Sequence, residues 1–530
     1  MCFLVALMCV ASLTASAQSF QVQCPTTTVT HPATLHDNNS EPTYTGPTNL
    51  AISAQGFFAS TANVNGAIKC QQISGGDGFA TMGDGTQTYL FAFGPLSGLK
   101  DMADGKPGTQ FPNVFNTATL GLKAGDPATA NGIVPGTWPG FPLPTSALSY
   151  NGAVGLAPDA DAIAGGLCTA PCLDGHVDPR QIMDVGVMNG NIPAPLMAID
   201  EDDEFFLTLT NVVGMVMRPD LFEQHTVHFH GYPNASAFYD GVPDASVAIN
   251  IGGSFTYYYL APDAGTYFWH CHITPPEHLQ MGMVGQIYVR PRQNRWKGDL
   301  YAGLSAQQGD LRTKCDSSDI LCSNPLPTAD TGASNDGSKT YAYNDGDGST
   351  QYDVEYPLQI HGFDPNFHFV GMTFNPEAFA DMKDKYFLLN GRSYPDTVTP
   401  GPLATQSTDG VMHFSQPLPS IINIPAGGRA LLRISDLDVT EYQTLASLGI
   451  PMQVIALNAK LLRDQAGNNL YYKANSITLA GGESLDVILD ASDTSKYHAG
   501  DVYYLYTPNL DHLSNDAENF GGLMTEVRIN

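Results

Sequence analysis

Two short stretches, HTVHFHG at residues 225–231 and WHCHITPPEHLQMGM at 269–283, gather six of the chain's fourteen histidines with a cysteine and two methionines. Imidazole, thiolate and thioether are metal donors, and the sulfur ligands select soft or borderline metals such as copper. Both stretches sit among β-branched and aromatic residues (TVHFH, TYFWHCHI), which predicts strands whose side chains alternate between two faces. On the first strand His228 and His230 share a face and His225 takes the other. On the second, His270 and His272 share a face and Cys271 opposes them. If the strands are neighbours in one sheet, the donors fall into two groups. One is His225 and Cys271, with His278 and Met283 arriving from the segment behind Cys271. The other is His228, His230, His270 and His272.

Each group implies its own chemistry. Two imidazoles and a thiolate with a weak axial thioether make a blue-copper electron-transfer site. Four imidazoles without sulfur suit copper that handles dioxygen or another small molecule. Because His270-Cys271-His272 is continuous, a single covalent path joins the thiolate to the histidine face. A lone histidine on a strand is ordinarily structural, and one HxH pair is weak evidence; the concentration of donors carries the reading. Zinc is the main rival, but a tetrahedral zinc site needs neither the methionine nor the doubled HxH. Met283, in QMGMVGQIYV, could equally be strand core, and Met281 is the alternative axial donor.

Over roughly residues 181–291 the chain resembles the copper-binding cupredoxin domain of the multicopper oxidases. The resemblance runs in order through NGNIPAPLMAIDEDDEFFLTLTN, HTVHFHG, YDGVPDASVAINIGGSFTYYYLAPDAGTYFWHCH and GMVGQIYV. It implies that His225, Cys271 and His278 are type 1 copper ligands with Met283 axial. His228, His230, His270 and His272 would be half of the type 2/type 3 trinuclear cluster. Two more residues separate Cys271 from His278 than in most family members, within ITPPE, while the His278 to Met283 spacing is normal. That predicts a longer ligand loop, stiffened by Pro275 and Pro276.

A chain of 530 residues has room for two or three domains with full cores. Only 14% of residues are charged, with 53 glycines and 37 prolines, the profile of an exported β-rich protein with many turns. A net charge of −29 excludes nucleic acid as a natural partner, since phosphates would be repelled. It favours metal ions, cationic organic reductants or a basic redox protein, and equally simple solubility outside the cell. Residues 1–17, MCFLVALMCVASLTASA, read as a signal peptide ending in A-S-A before Gln18, although the usual basic residues at its start are missing. No other apolar run is long enough to cross a membrane. The expectation is an exported protein, periplasmic, at the cell surface or extracellular. Of nine cysteines, Cys2 and Cys9 leave with the signal and Cys271 binds metal, so six remain. An even six in an exported chain suggests three disulfides. Short spacings pair Cys168 with Cys172 and Cys315 with Cys322, leaving Cys24 with Cys70; a metal site at CTAPC with His176 is the alternative for the first.

The expected fold is all-β: two cupredoxin-like Greek-key sandwich or barrel domains with an N-terminal β-rich extension. The copper domain spans 181–295, a linker 296–354, and a second domain 355–530. The extension, 18–180, has strand-like pieces (AIKCQQI, TQTYLFAFG) that either add to the copper domain or cover it, and no chemistry is read in it. NDGDGS at 344–349 is rich in calcium-type oxygens but lacks the closing glutamate, and reads as an acidic turn. The second domain resembles a further cupredoxin domain through KYFLLNGRSYPD, IPAGGRALLRISD, LGIPMQVIALNAKLL, ITLAGGESLDVILDA and GGLMTEVRIN. It looks copper-free: His361, His368, His413, His498 and His512 are not in HxH spacing, and it has no cysteine.

In multicopper oxidases the trinuclear cluster lies between two domains that each give two HxH pairs, whereas this chain has two pairs in all. A second subunit of a homo-oligomer could complete the half-site, as could a docking protein. Alternatively the face holds one type 2 copper, as in copper nitrite reductases, with His512 of another subunit as the candidate extra ligand. Those enzymes, however, have an aspartate at the position of His228 and lack the histidine after the cysteine. The resemblance thus implies an exported copper oxidoreductase. It would take single electrons from a phenol, a metal ion such as Mn(II) or Cu(I), or a redox protein at the type 1 copper. Cys271 and its flanking histidines would pass them to a multicopper site reducing dioxygen. The alternatives are a type 1-only electron-transfer or copper-binding protein, and a nitrite-reductase-like enzyme.

Overall fold

The computed structural model describes residues 27–32, 42–95 except 53, 55 and 57, 190–211, 223–231, 236–250, 254–309 except 262, 322–372, 378–400, 403–406, 412–416 and 418–530. The expected signal peptide, Cys24, the CTAPC segment with His176, and Cys315 lie outside them. Cys322 is disulfide-bonded, and among the described residues Cys271 is a free thiol.

The described chain is β throughout, as expected, with short helices between strands. The first unit is a sandwich of two four-stranded sheets. One runs Gln87–Pro95, Ile68–Thr81, Glu204–Asn211, Ser254–Leu260; the other runs Met197–Asp200, Val284–Arg290, Gly265–His270, His228–Phe229. The strands Ile68–Thr81 and Gln87–Pro95 are therefore part of the same sheet as Glu204–Asn211, with Ile68–Thr81 parallel to Glu204–Asn211. Of the extension's strand-like pieces, those at 68–81 and 87–95 thus pair within this sheet. Alternation explains the inner faces. In SFTYYYL, Tyr257 and Tyr259 are fully buried, and they pack with Ile73, Phe91, Phe93, Leu207, Phe229 and Trp269.

The second unit is another sandwich. Its larger sheet runs Tyr386–Leu389, Val354–Phe363, Arg429–Asp436, Ser484–Asp490, Met452–Leu457, Lys460–Leu461, and faces Ile422–Ile424, Met524–Ile529, Val502–Tyr506, Gln443–Leu448, Ser476–Leu479. Leu358, Leu432, Val487, Leu505 and Val527 form its core.

One strand joins the units. Every residue of Gly265–His270 is buried, because both of its faces are covered. Tyr267 and Trp269 point into the first core, whereas Phe268 joins Val284, Phe363, Tyr386, Leu388 and Leu437 in a core shared between the units. Polar bonds reinforce the seam: Thr266 Oγ1 donates to Asp486 at 2.6 Å, Ser484 Oγ to Thr266 O at 2.6 Å, and Gln286 Nε2 to Ser435 at 2.8 Å. Beside it, Arg290 and Arg433 both bind Glu355, and Arg292 binds Asp202 through two nitrogens. These buried charges are paired, as their desolvation requires.

The intervening segment is more ordered than its polar sequence suggests. Leu300–Gln307 is a helix capped by Asp299, whose carboxylate accepts from Ala302 N at 2.7 Å. Trp296, Leu300, Leu304 and Tyr341 make a small core of their own. In the NDGDGS turn Asp345 accepts from Gln293, Gly348 and Thr350, and Asp347 pairs with Arg463 at 2.6 Å. Its carboxylates are satisfied by protein donors, the behaviour of an acidic turn.

Candidate metal centre

His225 sits on an isolated bridge to Ile249, Cys271 just past the end of Gly265–His270, and His278 on the short helix Pro275–Gln280. That helix corrects the expected longer loop. The extra residues with Pro275 at the first helical position fold into one turn, entered through Thr274 at φ 36°. Cys271 Sγ lies 3.3 Å from His278 Nδ1 and 4.0 Å from His225 Nδ1, and the three donors are buried within 4.8 Å of one another. Thr226 N–H donates to the sulfur at 3.4 Å. Burial pushes the thiol's pKa up, but His278 and His225 outweigh it and bring it down to about 5, so the sulfur is a thiolate at neutral pH.

The outer nitrogens of the two imidazoles differ. His278 Nε2–H donates to Glu223 at 2.5 Å, while His225 Nε2 is buried with no hydrogen-bond partner. Burial lowers the His278 pKa, yet Cys271 and Glu223 lift it to about 10 in the metal-free chain. Met283 is bound at both ends of its backbone: its N–H donates to His278 O at 2.8 Å, and its carbonyl accepts from Cys271 N at 3.1 Å. Its methyl and the His225 ring lie 3.1 and 2.6 Å from where a Cβ on Gly75 would stand, so Met283 reaches beside His225 over a floor that admits no side chain. Met281, the alternative, is buried in the same core cluster as Met283, and it is Met283 that stands beside His225. A thiolate, two Nδ1 donors and a neighbouring thioether in a dry pocket fit copper.

On the opposite face the pairing of His228 with His270 places the histidines side by side. Donor nitrogens of His228, His230 and His270 converge, with His230 Nε2 3.0 Å from His270 Nε2. Each ring is oriented through its other nitrogen. His228 Nδ1–H donates to Asp240 O and His270 Nδ1–H to Cys271 O, both at 2.7 Å, and His230 bonds the backbone of Gly482. This is the outer bonding that fixes a metal-binding tautomer. Burial, reinforced by the neighbouring imidazoles, lowers the pKa of His230 and sets that of His270 well below the ordinary value, which keeps both rings neutral. His272 stands alongside, stacked on His270 at 5.5 Å and edge-on to His228 at 5.0 Å, outside the convergent group. These donors too fit copper.

The histidine face is not an outward surface along its whole length. The side of Gly265–His270 that carries His270 also carries Phe268 and Thr266, which pack on the second unit, so the triad lies at the margin of the seam. Gly482, at φ +92°, comes so close that a Cβ would stand 2.9 Å from His230 Nδ1. Among the described residues the second unit brings no histidine there. His512 is buried, stacked on Phe387 at 3.7 Å, with its nitrogens on Gln443, Asn509 and Glu441. His361 and His368 bond backbone carbonyls, of Leu279 and of Gln280 and Tyr89 respectively. Among the described residues, only the two groups above assemble three metal donors.

Sequence reasoning missed Gly75, Glu223, Gln280 and Gly482. The Gly75-Gly76 pair inside a strand is a readable sign of close backbone approach; the other three carry no local sign.

Residues 174–294 match the family profile described as multicopper oxidase. Laccase abr2 of Aspergillus fumigatus is 33% identical over 127 residues, 24% of this chain and 20% of that protein. A copper-containing nitrite reductase of Rhizobium meliloti is 34% identical over 115 residues, 21% of this chain and 27% of that protein. The chain thus spans about a fifth to a quarter of the length of these curated relatives. A blue copper oxidase from Nitrosomonas europaea aligns with 64% of this chain and 78% of its own at 22% identity, with a TM-score of 0.42. The segment that holds both donor groups is thus the part of the chain that resembles the multicopper oxidase family.

Proposed function

We propose that the protein is an exported copper oxidoreductase that takes single electrons from a reductant at the thiolate group and reduces dioxygen at the histidine group. When bound, copper supplies one-electron redox chemistry at the first and dioxygen activation at the second. The observation that carries this reading is the junction between the groups. Cys271 gives its sulfur to one and is bonded through its backbone to His270 of the other. Its carbonyl also accepts the His270 Nδ1–H at 2.7 Å. The sealed thiolate pocket keeps water from a soft donor set, and Glu223 holds the His278 ring by its outer nitrogen. The partly exposed triad admits a small molecule and a completing surface. That surface is a second copy of the chain or a docking protein, and the reductant is a phenol, a metal ion or a redox protein.

A nitrite-reductase-like enzyme is the second reading, favoured by one observation: three imidazoles converge while His272 stands aside, the donor set of a single type 2 copper. Copper counted per chain in the purified oligomer, with electron paramagnetic resonance and oxygen uptake, separates the readings. The oxidase reading expects a type 1 signal, more than one further copper per completed site, and oxygen uptake. One type 2 copper per chain with nitrite turnover and no oxygen uptake supports the reductase. A type 1 signal alone removes both enzymes. No helix among the described residues is long and apolar enough to cross a membrane.

A further inference from the structure

We infer that Gln280 is a positioning residue through which the second unit holds the ligand segment of the first. The inference rests on the thiolate group being a type 1 site. Gln280 is fully buried, two residues beyond His278 and three before Met283. Its side-chain amide and its carbonyl are bonded across the seam. Its Nε2 donates to Asp384 Oδ1 at 3.0 Å, its Oε1 accepts from Asp364 N at 3.0 Å, and its carbonyl accepts from His368 Nε2 at 3.0 Å. One residue earlier, Leu279 O accepts from His361 Nε2 at 2.9 Å. Four bonds from one unit thus converge on two consecutive residues of the other, beside the only short helix that carries a donor of the thiolate group.

The anchors are themselves braced. Asp364 accepts from Asn366 and Phe367 at the start of Pro365–Met372 and from Lys383 N. His368 also bonds Tyr89 O, on the strand beside the one that supplies Gly75. Asp384 accepts from Thr440, and Gly362 leaves no room for a Cβ, which would stand 2.3 Å from Asp384 Oδ2 and 2.7 Å from Asp438 Oδ2. Asp438 in turn is held by Gln443 Nε2 at 2.7 Å. An amide anchored on one carboxylate and one backbone N–H has a single satisfied orientation. Cutting it leaves buried groups unpaired on both sides and frees the helix end. The second unit, among whose described residues no metal-donor group is found, sets where His278 and Met283 stand relative to Cys271.

The test uses the full chain with Gln280→Met, Asp384→Ala and Asp384→Asn, each checked for folding by thermal melting. In the metal-free protein, iodoacetamide labelling of buried Cys271, followed by mass spectrometry of its peptide, should run at least about 10-fold faster in Gln280→Met and Asp384→Ala. Asp384→Asn, which keeps an acceptor oxygen for Gln280, should label like the unaltered chain. With Cu(II) bound, the first two variants should shift the thiolate absorption and hyperfine splitting and bind copper about 10-fold more weakly, as lost outer-shell partners do. Unaltered labelling and spectra in Gln280→Met overturn the inference. If Gln280→Met does not fold, the Asp384→Ala and Asp384→Asn pair decides: equal behaviour of the two overturns it. An unaltered chain that shows no thiolate absorption with copper, while Gln280→Met still exposes Cys271, removes the type 1 reading and leaves the latch standing.

Discussion

The two donor groups sit back to back on one strand end, yet they are built in opposite ways. The thiolate group is sealed, its histidines offer Nδ1, and its members come from two stretches of the chain, His225 from one and Cys271, His278 and Met283 from the other. The triad is partly open, its histidines are held by Nδ1 and offer Nε2, and two of its members pair directly across neighbouring strands. A sealed, over-determined donor set suits electron transfer, which gains from a geometry that does not change with oxidation state. An open set of neutral imidazoles suits a small molecule that must arrive and leave. One sheet achieves both because strand alternation sends adjacent residues 270, 271 and 272 to opposite environments.

Breaking either side should show how far the groups are independent. The largest effect belongs to Cys271→Ser, which should abolish the thiolate absorption and all electron entry; colour that survives would disprove the ligand assignment. His230→Ala should do the reverse, keeping the thiolate absorption while cutting dioxygen uptake by more than the roughly 100-fold that loss of an outer-shell partner brings. If it bleaches the thiolate band as well, the groups are not separable.

Two glycines sharpen the contrast at lower cost. Gly75→Ala places a methyl 2.6 Å from the His225 ring, and Gly482→Ala places one 2.9 Å from His230 at a backbone of φ +92°. Each should lower copper affinity about 10–100-fold, the first only at the thiolate group and the second only at the triad. Copper titration with electron paramagnetic resonance reads both, and a crossed pattern would contradict the assignment of floors.

The smallest effect concerns the scaffold under both groups. Burial raises the Glu201 pKa to about 7, against the pull of Arg292 and Asn344, from an ordinary 4.5. The folded state therefore holds an extra proton between those values. The contribution is fully present below pH 4.5 and is lost as pH rises through 7, amounting to about 3 kcal/mol at most. Denaturant unfolding at pH 5 and pH 8 should show this decline in the unaltered chain and a smaller one in Glu201→Gln. Equal slopes would place the proton elsewhere.

Much of the site was legible in the sequence because period-two alternation is a local property. HxH on one strand and HCH on another already sort His228, His230 and His270 from His225 and Cys271. What was not legible depends on distant chain. Nothing near Gly482 announces a metal group, and nothing in the donor motif around Gln280 says what that side chain holds, since the two roles arise from residues about 250 and about 100 positions away packing across the seam. The strands at 68–95 were readable as strands, but not their parallel pairing with Glu204–Asn211, because strand register over such separations is set by the shared core. The Pro275–Gln280 helix was missed because two prolines suggest a stiff loop, while proline equally suits the first turn of a helix.

The most direct test of the central claim, that the two groups form one electron path ending at dioxygen, is a reoxidation experiment. The copper-loaded protein is reduced without oxygen until the thiolate absorption vanishes, then mixed with oxygenated buffer. The absorption should return rapidly in the unaltered protein and far more slowly in His230→Ala. Equal rates of return in the two proteins would contradict the account.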